Sequence, residues 1–240
     1  MKNLLRAFSL AEVLITLGII GVVAAITLPA LVQKYKIKQF KTGFLRTSSL
    51  IQNTLNQSAN EFGYDNYRDL FYICGNVSKG DAASKCSEEN AELFKQINDD
   101  FFSRLKVVDT KSGWAFFRKE WFTDYSGKYK ADYGSLYGIG IGDNYERAHI
   151  LVDGTMISNI IFFKHEPSDG LTITFDTNGP YKGPNQYGRD IFMFNTGSWY
   201  KLCSVKAGGS LYNGRGCYEY AEKDINPDDK SKGYWDSLKF

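Results

Sequence analysis

Residues 13–32 read VLITLGIIGVVAAITLPALV, a stretch of 20 residues without a charged side chain. As a helix that rises about 1.5 Å per residue, it would be about 30 Å long, which matches the hydrocarbon core of a bilayer. Lys2 and Arg6 precede it, so the positive-inside rule predicts a cytoplasmic N-terminus with the rest of the chain on the far side. The stretch therefore predicts a single-pass membrane segment.

An ordinary secretory signal peptide is the alternative for this stretch. Signal peptides have an apolar region of about 7–15 residues and a small-residue cleavage site, whereas this run is longer and no A-x-A site closes it. Glu12 stands at the start of the run, where a signal peptide gains nothing from a carboxylate. An ionisable residue at such a position is interpreted as functional.

The residues around Glu12 resemble a known motif. The segment Ala7-Phe8-Ser9-Leu10-Ala11-Glu12-Val13-Leu14 resembles the cleavage and methylation motif of type IV prepilins and type II secretion pseudopilins. The resemblance implies that prepilin peptidase cuts between Ala7 and Phe8 and methylates the new amine of Phe8. Glu12 then occupies the fifth mature position, where the family's glutamate pairs with the amine of a neighbouring subunit. The usual residue before the cut is Gly, so Ala7 implies less efficient processing.

The chain is expected to divide into a leader (1–7), a membrane and assembly helix (8–32), an amphipathic continuation (33–63) and a globular head (64–240). Gly21 and Pro29 fall where the family's helix loosens or kinks in filaments. The expected fold class is α+β, a long helix packed on a small antiparallel sheet. The resemblance implies prepilin peptidase and other pilin or pseudopilin subunits as partners. It also implies residence in the bacterial inner membrane, in contact with lipid, before assembly into a periplasmic or extracellular filament.

Periodicity beyond residue 32 predicts the remaining elements. Apolar residues recur every four or seven positions from Phe40 to Phe62, which predicts an amphipathic helix that ends at Gly63. Further predictions are a helix over 93–105, a β-hairpin over 149–163 that turns at Asp153-Gly154, and strands over 171–175 and 190–194. The aromatic-rich stretch 113–137 is interpreted as core and strand residues, with a carbohydrate or partner surface as the alternative. Residues 223–232 are expected to be charged, mobile surface.

Four cysteines form two locally spaced pairs, Cys74 with Cys86 and Cys203 with Cys217. Neither pair has the spacing of a zinc knuckle or a redox CxxC motif, and an exported protein favours disulfides. Four cysteines allow three connectivities, of which the two local pairings are preferred. The segment around Cys203 also resembles the disulfide-bounded C-terminal region of type IV pilins.

Residues 176–190 are rich in Asp, Asn, Gly and Pro. The Asp-x-Asn-Gly start is similar to a calcium loop, but Pro180 and Tyr187 occupy the fifth and twelfth positions, which excludes an EF-hand. The segment resembles the calcium-binding loop of major pseudopilins, which implies Asp176, Asn178 and Asp190 as ligands of a structural calcium. The alternative is a turn whose side chains bond to its own backbone.

Other function classes have little support in the sequence. No G-x-S-x-G, P-loop or HExxH motif is present, so an enzyme is not expected, nor any cofactor besides calcium. Lys2 and Arg6 belong to the 29 basic residues, so without residues 1–7 basic and acidic side chains balance at 27 each. Nucleic acid is therefore not an expected partner, although a local basic patch stays open.

The expected function is a structural subunit of a type IV pilus or a type II secretion pseudopilus. One alternative is a low-copy minor pilin that binds a surface, a polysaccharide or DNA at the filament tip. Another is an exported domain on an uncut membrane anchor, without a filament.

Overall fold

A computed structural model of the protein describes residues 9–70, 90–112, 121–132, 147–163, 170–196 and 201–238. Within these ranges the chain forms three α-helices and eight β-strands. It divides into two compact units, and the boundary falls between Gln39 and Phe40. The predicted α+β class, with a long N-terminal helix and a small antiparallel sheet, is confirmed.

Helix α1 extends from Leu10 to Glu61 and contains 52 residues. In the second unit it buries the apolar stripe that its periodicity predicts. The buried residues are Phe40, Phe44, Thr47, Ser48, Ile51, Thr54, Leu55, Ser58 and Ala59. Gly63 follows the last turn with a φ of 81°. Glycine adopts this left-handed conformation without strain, which explains why the helix ends where the sequence predicts.

The main sheet has six antiparallel strands. These are β1 (Val107–Ser112), β4 (Arg147–Leu151), β5 (Met156–Ser158), β6 (Ile161–Phe163), β7 (Gly170–Asp176) and β8 (Ile191–Asn195). Strand β4 pairs with β1 and β5, and β7 pairs with β8 along one edge. The other edge of β7 pairs with β6 near Gly170 and with β5 near Asp176. A separate ribbon consists of β2 (Trp121–Thr123) and β3 (Lys130–Asp132).

The predicted hairpin over 149–163 forms, but its second arm is divided into β5 and β6. Its turn is tight, because the Gly154 N–H donates to the Leu151 carbonyl at 2.9 Å and Gly154 has a φ of 88°. The division comes from Asn98 of helix α2 (Ala91–Ser103). The Asn98 side chain accepts from the Ile160 N–H at 2.8 Å and donates to the Ile160 carbonyl at 3.1 Å. The side-chain amide of Asn98 thus takes the place of a neighbouring strand as the hydrogen-bond partner of Ile160.

Aromatic rings fill the space between α1 and the sheet. The fully buried ring of Phe44 lies 4.6 Å from that of Phe192, 5.3 Å from Tyr218 and 5.5 Å from Trp235. Tyr218 belongs to helix α3 (Cys217–Glu222), and Trp235 begins a short 3₁₀ turn (Trp235–Ser237). The C-terminal segment therefore completes the core, and its Tyr218 adds edge-to-face contacts with Phe175 and Phe194 to the area that it buries.

The β2–β3 ribbon is fixed to the head by Asp124. This fully buried carboxylate accepts hydrogen bonds from the Ser126 hydroxyl at 2.8 Å and the Lys128 N–H at 2.9 Å, and from the Asn213 amide at 3.3 Å. Of the aromatic-rich stretch, Phe122 and Tyr125 are buried, as interpreted from the sequence, whereas Trp121 is 50% exposed. Residues 113–120 and 133–137 of that stretch lie outside the described residues.

Candidate functional site

The start of α1 is the first candidate site, and Ser9 and Glu12 organise it. The Ser9 N–H donates to Oε2 of Glu12 at 2.8 Å, and the Glu12 N–H donates to the Ser9 hydroxyl at 3.2 Å. The Ser9 hydroxyl also donates to Oε2 of Glu12 at 2.8 Å. This reciprocal arrangement is a capping box, in which two residues three apart satisfy the free N–H groups of a helix start. Glu12 thus has a local role in addition to the one that the resemblance implies.

The helix that follows is apolar and exposed in the isolated chain. Its most apolar 18-residue window has a mean hydropathy of 2.4 and is 0% buried. The large exposed side chains are Leu10, Val13, Leu14, Ile15, Leu17, Ile19, Ile20, Val22, Val23, Ile26, Leu28, Leu31 and Val32. A helix that is apolar on all sides needs lipid or other helices around it. The segment is long and apolar enough to cross a membrane once.

Two of the other predicted assembly residues lie inside this helix. Gly21 is surrounded by open space, since a Cβ atom there would meet nothing within 4 Å. Pro29 is also within α1, and the helix continues past it to Glu61. Ala7 and Phe8, the predicted processing residues, lie outside the described residues.

The segment 176–190 is the second candidate site, and it brings Asp176 and Asp190 together at its base. The Thr177 N–H donates to the Asp190 carbonyl at 2.8 Å. Oδ1 of Asp176 accepts from the N–H groups of Asn178 at 3.1 Å and Gly179 at 2.9 Å. The Asp190 carboxylate accepts from two further backbone N–H groups, those of residues 185 and 186, at 2.9 and 2.8 Å. These bonds form the turn that was the alternative to a calcium site.

The electrostatics of this loop also fit a cation. Both carboxylates are fully buried. Burial is the main cause that raises the pKa of Asp190 well above its usual value, and the negative charge of Asp176 is the second. Within the described chain, no donor reaches the buried Oδ1 atom of Asn178. The two oxygens of Asp190 accept their bonds from residues 185 and 186 one each, and a carboxylate oxygen with one such bond has a second lone pair. Two like-charged carboxylates and an amide oxygen match the hard oxygen ligands that calcium prefers.

The calcium prediction nevertheless stays a prediction. No group of three or more His, Cys, Asp or Glu side chains in the described ranges is arranged to hold a metal. Asp176, Asn178 and Asp190 would supply only part of the six to eight oxygen ligands that calcium takes.

The structure joins Cys203 to Cys217 in a disulfide with a Cα–Cα distance of 5.0 Å, one of the two local pairings expected. Both cysteines are buried. Cys74 and Cys86 lie outside the described residues. Beside the bonded pair, a cavity of about 60 Å³ is lined by residues that include Arg215, Tyr218 and Glu219. Pockets that hold organic ligands measure about 300–1,000 Å³, so this cavity suits water or a small ion.

Ser9 is the functional residue that the sequence interpretation missed. The signal was present as Ser9-Leu10-Ala11-Glu12, an S-x-x-E pattern directly before an apolar run. The chain matches no protein-family model, no curated protein and no solved structure. A functional argument therefore rests on the residues and their geometry.

Proposed function

We propose that this protein is a structural subunit of a bacterial filament of the type IV pilus or type II secretion pseudopilus class. In this proposal, prepilin peptidase removes residues 1–7, Phe8 becomes the methylated N-terminus, and the apolar part of α1 leaves the membrane to pack against the same helix of other subunits. The protein acts by assembly and has no catalytic role.

The observation that carries the proposal is the exposed apolar start of α1 with Glu12 at its head. A plain membrane anchor needs the apolar residues and a helix cap, but an uncharged Gln would cap the helix as well, whereas a carboxylate costs free energy at the edge of the hydrocarbon layer. A filament subunit needs both. The apolar surface is covered first by lipid and then by helices, and the carboxylate meets the amine of a neighbour in a water-poor environment where an ion pair is strong.

The 176–190 loop would serve the proposed subunit as a structural element. Calcium held by Asp176, Asn178 and Asp190 would neutralise the two buried carboxylates and stiffen the loop at the end of β7. The proposal of filament assembly does not depend on this ion.

The N-terminus of the protein recovered from its host membrane tests the proposal. Mass spectrometry is expected to give a first residue of N-methylated Phe8. Ala7→Gly, which restores the usual residue before the cut, should be processed at least as completely as the wild type. Ala7→Asp should stay uncut and absent from filaments. A wild-type chain that begins at Met1 would refute the proposal.

A further inference from the structure

The segment directly after the apolar part of α1 contains three exposed lysines. Lys34, Lys36 and Lys38 are all exposed, as is Tyr35, whose side chain is 70% exposed. Within the described chain these lysines form no ion pair. Lys41 differs, because its Nζ lies 2.7 Å from Oδ2 of Asp224.

The charge of this part of the helix is of one sign. No Asp or Glu occurs between Glu12 and Glu61, so no acidic side chain of α1 itself offsets these lysines at helical spacing. Surface helices commonly carry both signs, with acidic and basic side chains three or four residues apart. The lysines therefore present an uncompensated positive charge to whatever surrounds the helix.

The position of the lysines along the helix sets their depth. The apolar stretch 13–32 is about 30 Å long as a helix, and Lys34 to Lys38 follow within about 10 Å of its end. A segment that fills the hydrocarbon core thus places these residues in the headgroup layer. Tyr35 agrees with this depth, since tyrosine is enriched where membrane meets water.

The position of the lysines around the helix distinguishes lipid from a single protein partner. Lys34 and Lys38 are four residues apart and share a face, whereas Lys36 points about 200° away from Lys34 at 100° per residue. One docked protein would contact one face of the helix. Lipid headgroups surround a membrane helix and contact every face.

We propose that Lys34, Lys36 and Lys38 form a basic collar that binds anionic lipid headgroups around the helix while the subunit is in the membrane. The lysine ammonium groups would contact the phosphates, and Tyr35 would lie at the boundary with the acyl chains. This inference rests on the membrane stage of the proposed function and not on cleavage or filament formation. Positive charge near an anionic surface is attractive within a Debye length.

The test uses the full chain, reconstituted in vesicles of equal parts phosphatidylcholine and phosphatidylglycerol. The lipids that stay bound after gentle extraction are counted by native mass spectrometry. The wild type is expected to retain a several-fold excess of phosphatidylglycerol, and this excess should fall as salt rises from about 0.05 M to about 0.5 M. The triple variant Lys34→Gln, Lys36→Gln, Lys38→Gln should retain the two lipids almost equally.

A matched control removes the same charge elsewhere. Lys95, Lys106 and Lys206 are exposed on the head, and their triple change to Gln should keep the wild-type excess. The triple variant Lys34→Arg, Lys36→Arg, Lys38→Arg should also keep it. An unchanged lipid count in the collar variant, or an equal loss in the head variant, would overturn the proposal. Unchanged lipid counts with fewer filaments would also overturn it, and would assign the collar to contact with a second copy of the chain.

The lipid counts and the N-terminal mass test the collar proposal and the filament proposal separately. An uncut Met1 terminus refutes the filament proposal but leaves the lipid measurement valid on the same sample. If alkaline carbonate extracts the wild type from membranes, the apolar part of α1 is not embedded in the bilayer. The collar proposal would then be overturned.

Discussion

Ser9 and Glu12 are hydrogen-bonded to each other at the start of α1, where the Glu12 carboxylate accepts from the Ser9 N–H and the Ser9 hydroxyl at 2.8 Å each. The carboxylate that is proposed to meet a neighbour's amine is therefore already engaged in capping its own helix. The two roles need different properties of the side chain. Capping needs a hydrogen-bond acceptor, whereas pairing with an amine needs a negative charge.

Glu12→Gln separates these roles, since Gln also serves at this position of a capping box but carries no charge. We expect Glu12→Gln and Glu12→Ala to reduce filament yield by about tenfold or more, because a buried amine left without its partner costs about 3–5 kcal/mol. Filaments sheared from cells and quantified against the membrane-bound pool give the measurement. Ser9→Ala is the control, as it loses only the cap and should still assemble. Normal assembly of Glu12→Gln together with failure of Glu12→Ala would assign Glu12 to capping alone.

The pH dependence of stability should report the acidic pair in the 176–190 loop. Burial and the charge of Asp176 raise the pKa of Asp190 in the folded chain. The stability that Asp190 contributes is therefore fully present below the pKa of an unfolded Asp, about 3.9, and is lost as pH rises through the raised pKa of the folded state. Asp176→Asn keeps an acceptor for two backbone N–H groups and removes the like charge. We expect this variant to be more stable than the wild type at neutral pH with a chelator present, and its stability to fall less with rising pH.

Urea unfolding of the full chain in detergent, with a chelator and at several pH values, measures this effect. Equal slopes of stability against pH for the two proteins would show that Asp176 does not influence Asp190.

Calcium should make the wild type more stable than Asp176→Asn, the reverse of the order expected with a chelator. Millimolar calcium is expected to raise the melting temperature of the wild type, because bound ligand stabilises the folded state. Asp176→Asn should show little or no rise, since it lacks one of the two carboxylates. Magnesium serves as the control ion, because it favours smaller octahedral sites and gives up water reluctantly. No shift of the wild type with calcium would end the calcium prediction while leaving the turn intact.

The predicted and observed folds agree where the determinants are local. The stripe from Phe40 to Leu55 and the turn at Asp153-Gly154 depend on residues close in sequence, and both form as predicted. The division of the hairpin depends on Asn98, which lies 62 residues before Ile160. Periodicity carries no information about such a distant side chain.

The segment 223–232 lies at the surface, as expected, with Lys223, Lys230 and Lys232 exposed, and its mobility stays a prediction. Its contacts with distant residues were not predictable, for the same reason. Charged composition favours solvent exposure, but here Asp224 pairs with Lys41 and Asp228 accepts from the Val205 N–H at 2.7 Å. Of the candidate sites, the start of α1 was predictable because its motif is contiguous. The burial of Asp176 and Asp190 was not, because it depends on the strands that flank the loop.

Gly43 allows α1 to approach the loop that follows β7. A Cβ atom at this position would lie 3.3 Å from the Cβ atom of Thr177, which is tighter than ordinary contact. We expect Gly43→Val to destabilise the full chain by about 1–3 kcal/mol, the usual cost of overpacking. The measurement is urea unfolding, and the matched control is Gly21→Val, where no atom lies within 4 Å of the added Cβ. Thr177→Ala removes the Oγ1 atom that would lie 3.4 Å from the added Cβ. Combined with Gly43→Val it should restore part of the loss, whereas strictly additive effects would contradict the contact.

The contact between Phe44 and Trp235 joins two parts of the chain that lie far apart in sequence. Phe44 belongs to α1 and Trp235 to the C-terminal segment, yet their rings are 5.5 Å apart in one core. Contacts between such distant parts of the chain form late, since the intervening loop must close first. If the head is exported, as the proposed function requires, it reaches its final packing only after both parts have crossed the membrane, and a chain stalled between them would expose the aromatic core to proteases.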